Sequence, residues 1–482
     1  MKRSIYVKGM ATLRTVVILI ILFSITGCKK YLQIPAPSNS ISSQSVYIED
    51  ATAIGVLNGI YIRMQGNTDL SIYPGCSADE FSLSNTSAAT FNLTYSNNLN
   101  SDATGNRDFW SAFYKHVYYA NAAIEGLTQS STLTPAVKQQ LIGEAKFVRA
   151  WCYFYLVNFY DDVPLALTTD YKDNAVLARS PKAQVYQQII ADLTDAQTKL
   201  NTNFVDVTLL KTTTERVRPT KWAATALLAR AYLYYGNLMG DATNYQKAAD
   251  QASAIIQNSS LFRLEPLNNA FLKNNQEAIW QLEATPTSVG GYTQEAYVFI
   301  IPVTGPSVTN PVVISPFLLA AFEPGDQRQT SWINNVNISG TTLYYPYKYK
   351  NNVLRSPATE YETVFRLSEQ YLILAEAKAR QGDLSGAALS LNMVRARAGL
   401  PNTTATNQPD MLAAIQHERQ VEFFTEFGHR WFDLKRTNTV NAIMSVVTPK
   451  KGGRSWDPNQ ALYPIPLLQI QAAPSLKQNS GY

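Results

Sequence analysis

The chain is poor in the side chains on which much enzyme chemistry depends. Its 482 residues include three histidines, His116, His417 and His429, and three cysteines, Cys28, Cys76 and Cys152. No His-Glu-x-x-His pair and no Cys-x-x-Cys repeat occurs, so a zinc site has no recognisable frame. No aspartate-rich loop suggests calcium either, and neither a metal nor a cofactor is expected. A Gly-x-Ser-x-Gly elbow and a phosphate-cradling glycine loop are also missing. Two carboxylate pairs, Asp161-Asp162 and Glu422 with Glu426, have the residue type for glycoside hydrolysis. The first ends a helix before Pro164, and the second has the i, i+4 spacing of a salt-bridged helix face. Charged residues make up 16% of the chain, and the net charge is +5. Lys2, Arg3, Lys8 and Arg14 supply four of those charges near the N-terminus, so the remainder is close to neutral and nucleic acid is not an expected partner. No apolar run reaches the roughly 20 residues that span a bilayer; Val16 to Phe23 breaks at Ser24.

The N-terminus does hold an ordered signal. Basic residues precede the apolar run, small residues follow it, and Ile25-Thr26-Gly27-Cys28 closes it as a lipoprotein cleavage site. Residues 1–27 therefore read as a signal peptide and Cys28 as the lipidation site, with the membrane held through the N-terminal lipid. Stable attachment takes two or more acyl chains. Of the other cysteines, Cys76 and Cys152 allow one disulfide at most, which spacing alone does not establish. Cys152 lies in Trp151-Cys152-Tyr153-Phe154-Tyr155-Leu156 and reads as a small apolar residue on a buried helix face.

Aromatic residues are abundant: 28 tyrosines contribute to an aromatic share of 11%. Apolar residues recur at three- to four-residue steps over 108–128, where Phe109, Trp110, Phe113, Val117, Ala120 and Ile124 share a face. Helices are also expected at 46–64, 135–160, 181–200, 219–236, 244–257, 364–380 and 384–397. Pro135 is a start signal and Asp161-Asp162-Val163-Pro164 a stop. The last two helices fit a tetratricopeptide template, with Tyr371, Leu374 and Ala375 on the first, Gly382 at the turn, and Ala387 and Leu391 on the second. Leu227, Ala229, Tyr232, Gly236 and Ala248 repeat the scheme. Helical period is lost at 66–106 and 258–362, where short strands are expected at 278–283 and 344–349. Loops this long are usually functional or disordered, and their aromatics favour function.

Four blocks resemble a known family, the SusD/RagB-like nutrient-binding lipoproteins. They are Cys28-Lys29-Lys30-Tyr31-Leu32; Glu144 to Ala150 leading to Tyr160-Asp161-Asp162-Val163-Pro164-Leu165; Arg218-Pro219-Thr220-Lys221-Trp222 with Leu227 to Tyr232; and a C-terminal set including Arg366-Leu367-Ser368-Glu369, Val394 to Gly399, and Glu418-Arg419-Gln420-Val421-Glu422-Phe423 through Gly428 to Arg436. Tyr463-Pro464-Ile465-Pro466 closes the series. The resemblance implies a mainly α fold in one domain from 28 to 482. That domain divides into an N-terminal helical half (28–257) with loop 66–106, a loop-rich ligand-binding insertion (258–362) and a C-terminal helical block (363–482). It also implies a surface-facing outer-membrane lipoprotein that captures oligosaccharides, without cleaving them, for a SusC-like TonB-dependent transporter. Gln33 and Lys29-Lys30 depart from the family's usual acidic residues there. No glycan-binding residue is transferred by motif. Sugar chemistry instead points to exposed rings beside polar side chains, and the loops offer Asp79, Phe81, Asn97, Tyr292, Tyr297, Trp332 and Tyr345. A lipid-anchored tetratricopeptide scaffold for peptide or protein is the alternative, for which an aromatic-free helical groove would speak. A glycoside hydrolase is a third.

Overall fold

A computed structural model of the chain describes residues 46–65, 68–84, 89–102, 108–284 and 291–482. The expected signal peptide and Cys28 lie outside the described residues. Helices dominate the first half: α1 (Asp50–Met64), α2 (Asp69–Ser77), strand β1 (Phe81–Leu83), α3 (Ala89–Tyr95), α4 (Phe109–Gln129), α5 (Pro135–Tyr160), the single turn α6 (Tyr171–Asn174), α7 (Lys182–Lys199), α8 (Lys221–Met239) and α9 (Ala242–Ile256). Local chemistry sets their limits. The side chains of Asp108 and Thr220 cap α4 and α8 by accepting the backbone N–H of Ser111 and Trp222. Pro135 opens α5, where its missing N–H costs no helical hydrogen bond. Gly240 ends α8 in the left-handed region, φ +62°.

These helices pack in series, α4 on α5, α5 on α7, α7 on α8 and α8 on α9. The next segment interrupts the sequence of helices with β2 (Ala278–Leu282), α10 (Gln294–Phe299), β3 (Val312–Ile314), the turns α11 (Pro316–Leu319) and α12 (Gln327–Ser331), β4 (Ile333–Ile338), β5 (Thr341–Pro346) and β6 (Glu362–Arg366). The strands form three antiparallel pairs, β1 with β3, β2 with β6 and β4 with β5. Helices then return as α13 (Leu367–Arg380), α14 (Leu384–Arg397), α15 (Gln408–Glu422), α16 (His429–Arg436), α17 (Val440–Val447) and α18 (Leu467–Ala472). Since α13 packs directly on α9, the helical series is continuous in space across the insertion. Ala375, Ala387 and Leu391 meet in one buried cluster, and Gly382 takes the turn between α13 and α14 at φ +83°. The fold is mainly α, built of tetratricopeptide-like pairs with irregular loops and short strands between them.

The C-terminal block also completes α5. A helix leaves its last carbonyls without helical partners. Here Lys435 Nζ donates to the carbonyl of Asn158, Tyr463 N to that of Phe159 (2.9 Å), and Arg179 Nη2 and Asn479 Nδ2 to that of Tyr160 (2.9 and 3.0 Å). Cys76 and Cys152 are buried and unpaired, and burial pushes the Cys76 thiol up to about 12.

A buried network of charges ties the insertion to the C-terminal helices. Arg366 donates to Glu277 (3.0 Å), to both oxygens of Glu426 (2.7 and 2.8 Å) and to Glu422. Arg328 donates to Glu418 (2.6 Å), Glu422 (2.9 Å) and Asp326 (2.8 Å). Lys348 Nζ reaches Glu426 and the carbonyls of Glu422 and Phe424, and Arg397 reaches Glu277 and Glu422. Burial opposes the charge on Glu422, yet Arg397, Arg366 and Arg328 outweigh it and hold its carboxyl well below the usual range. Removing one partner leaves others buried and uncompensated, so Arg366→Met is expected to lower unfolding stability by about 3–5 kcal/mol in urea titration. An unchanged midpoint would show that the network contributes little.

Candidate functional site

One exposed aromatic surface in the insertion is built with care from below. Thr293 caps the six-residue helix α10, its Oγ1 accepting from Ala296 N at 3.2 Å. At the other end, Asn310 Nδ2 donates to the carbonyls of Tyr297, Val298 and Ile300 at 2.9, 2.9 and 3.1 Å. Phe299, buried, stacks on Phe81 of β1 with ring centres 5.5 Å apart. With α10 fixed in this way, Tyr297 points outward and is 41% exposed. Half-buried Tyr292 lies parallel behind it, ring centres 5.2 Å apart at an interplanar angle of 8°. Neither phenol has a hydrogen-bond partner among the described residues. The result is a ring face with free polar tips, the combination that grips the apolar face and hydroxyl rim of a sugar.

The other sequence candidates are corrected by their surroundings. Asp79 is buried and held by Arg430 Nε and Nη2 at 2.8 and 2.7 Å; burial opposes its charge, but Arg430 keeps the carboxyl below its usual value. Phe81 is the buried support of Phe299 rather than a ligand surface. Asn97 Nδ2 donates to the Ser77 carbonyl at 2.9 Å, and its Oδ1 accepts from Thr448 at 3.0 Å. Trp332 is 0% exposed. Its Nε1 donates to the Leu267 carbonyl at 2.9 Å, and its ring meets Phe271 edge-on and lies 4.9 Å from the Lys348 ammonium. Tyr345 is buried in the β4–β5 pair opposite Asn334, edge-on to Tyr347. Of the seven, Tyr292 and Tyr297 alone come together at the surface.

Sequence reasoning missed what lies under the pair. Glu295, on α10, is buried and in hydrogen-bond contact with Glu362 of β6, with the Tyr349 phenol nearby. Burial pushes the Glu295 carboxyl up from 4.5 to about 7. His429 has no comparable freedom to titrate: burial, then Arg230 and Arg419, drive it far below the usual histidine range.

Concave regions also occur elsewhere among the described residues. A cavity of about 510 Å³ lies between α4, the segment around 164–177 and α18, lined by Trp110, Tyr114, Tyr118 and Tyr171 among others. A second, of about 470 Å³, is lined by Tyr61, Arg218, Glu283 and Tyr361. Among the described residues there is no group of three or more metal-ligating side chains and no helix long and apolar enough to cross a membrane.

Comparison with known proteins agrees with this architecture. The SusD family model matches residues 323–482, and a second, described as starch-binding and associating with the outer membrane, matches 37–233. Between them they cover well over half of the sequence. The chain belongs to the SusD family. SusD-like protein P25 of Formosa agariphila is 24% identical to this SusD-family chain in a match covering 97% of it and 99% of P25. A SusD homolog from Bacteroides thetaiotaomicron has the same fold, with a TM-score of 0.77, 20% identity, and coverage of 91% of this chain and 98% of the homolog. A laminarin-binding SusD-like protein is similar to the same degree, with a TM-score of 0.73, 23% identity and coverage of 90% and 100%.

The carboxyl beneath the tyrosines gives a pH signature. Glu295 binds its proton more tightly in the folded chain than in the unfolded one. Its contribution to stability is therefore greatest below about pH 4.5 and is lost as pH rises through about 7. Glu295→Gln should flatten the thermal stability profile across that interval relative to wild type. Parallel profiles for the two proteins would mean that Glu295 is not protonated at the base of the pair.

Proposed function

We propose that the chain is a non-catalytic glycan-binding lipoprotein. It is anchored to the outer membrane through Cys28 and faces outward. It captures oligosaccharides and passes them to a SusC-like TonB-dependent transporter. The observation that carries the binding step is the exposed Tyr297 ring backed by Tyr292 on a helix clamped at both ends. The family's description as starch-binding and outer-membrane-associated, and a laminarin-binding neighbour of the same fold, support a glycan as the ligand. The lipobox supports the anchor.

The carboxylates of the residue type for hydrolysis have other work. Glu422 and Glu426 accept from Arg328, Arg366, Arg397 and Lys348 inside the protein. Asp161 pairs with Lys182 at 3.0 Å, and Asp162 accepts from the backbone N–H of the same residue at 2.7 Å. The peptide-scaffold alternative called for an aromatic-free helical groove, whereas the cavity beside α4 is lined by four aromatic rings.

Affinity electrophoresis of the full chain in detergent, through gels containing laminarin, starch or other polysaccharides, tests the reading. At least one glycan should retard the protein without being shortened. Tyr297→Ala should weaken retardation about tenfold or more while changing stability by no more than about 0.5 kcal/mol, because an exposed ring is removed. Cleavage of the retained glycan, or no retention by any glycan, would contradict the proposal.

A further inference from the structure

Beside the tyrosine pair, residues 350–360 form a loop that is fastened at several points. The buried Glu360 carboxylate accepts the backbone N–H of Lys350 at 2.8 and 3.0 Å and of Asn351 at 3.0 Å, pinning the two ends together. Asn351 Nδ2 donates to the Gly291 carbonyl at 2.7 Å and to Ser356 Oγ at 2.9 Å. Ser356 closes on Gly291 from the other side. A Cβ on Gly291 would lie 1.9 Å from the Ser356 carbonyl oxygen, so the contact requires glycine, which here has φ +112°. The loop is thereby seated against the residue that precedes Tyr292. From standard backbone lengths, the Cα atoms of Tyr292 and Arg355 are at most about 13 Å apart.

The tip of this loop faces solvent. Val353 and Leu354 are 61% and 52% exposed. Arg355 is exposed as well and takes φ +62°, a left-handed conformation that costs a non-glycine residue about 1 kcal/mol or more. It forms no hydrogen bond or ion pair among the described residues, and the Glu360 carboxylate is turned inward to the backbone amides. A fixed loop thus holds a strained, uncompensated guanidinium within reach of a ring platform. Guanidinium has donors only, in a planar fork that fits the two oxygens of a carboxylate or sulfate.

We propose that Arg355 is the specificity-determining residue of the Tyr292–Tyr297 site, and that the ligand is an acidic glycan whose carboxylate or sulfate ester engages Arg355 while a sugar ring stacks on Tyr297. This rests on the glycan-binding reading of the tyrosine pair. Carboxylate and sulfate share the recognising chemistry, and two probes separate them.

The test is isothermal titration of the full chain in detergent with oligogalacturonate, carrageenan oligosaccharides and neutral laminarin oligosaccharides, for wild type, Arg355→Gln, Arg355→Lys and Tyr297→Ala. At least one acidic probe should bind tenfold or more tighter than laminarin, with affinity falling as salt is raised. Which acidic probe binds identifies the oxyanion. Arg355→Gln should reduce the acidic-to-neutral affinity ratio at least tenfold, and Arg355→Lys should restore part of it. Laminarin binding that depends on Tyr297, with neither acidic probe preferred, would overturn the role of Arg355 and leave the glycan site standing. An acidic preference that persists in Arg355→Gln would overturn it too, and binding of none of the probes would overturn the acidic-glycan assignment while the glycan site itself is decided by retardation in starch and other polysaccharides.

Discussion

Arg366 sits where β2, β6 and the C-terminal helices meet, and its buried ion pairs hold them together. It ends β6, which pairs with β2, and precedes α13, which packs on α9. Its guanidinium holds Glu277 from before β2 together with Glu422 and Glu426 from the end of α15 and beyond. Taking so many charges out of water is costly, and apolar packing could often match the stability. What fully bonded arginines add is direction. Each has a planar set of donors and accepts few alternative arrangements. A long irregular insertion is thereby held in one pose against a regular helical array.

That pose matters because the candidate site belongs to the insertion. Phe299 is stacked on Phe81, Asn310 closes α10, and Glu295 meets Glu362 on β6, the strand that ends at Arg366. Rigid support lets a single exposed ring and a short loop act as a preorganised surface, which reduces the ordering lost on binding. The helical array supplies this support, while the contacts offered to a ligand come from the irregular segments between its helices.

Much of the array was legible in the sequence. The helix expected at 135–160 is α5 to the residue, since Pro135 and Asp161 punctuate it, and 384–397 is α14, bounded by Gly382-Asp383 and Gly399. The strand expected at 278–283 runs from Ala278 to Leu282. The site was harder to read for a physical reason. Tyr297 and Trp332 both lie among polar and apolar neighbours in a stretch without helical period. One is at the surface and the other fully buried because of Leu267, Phe271 and Lys348, residues up to 65 positions away from Trp332. Asp79 carries no local sign that Arg430 will neutralise it. Burial of a loop side chain is a tertiary property, and local composition does not encode it.

The most direct test of the account is a crystal structure of the chain with an oligosaccharide bound. The account predicts a sugar ring stacked on the outer face of Tyr297, with the next unit reaching toward loop 350–360. A sugar seated instead in the cavity lined by Tyr118 and Tyr171, with Tyr297 bare, would contradict it.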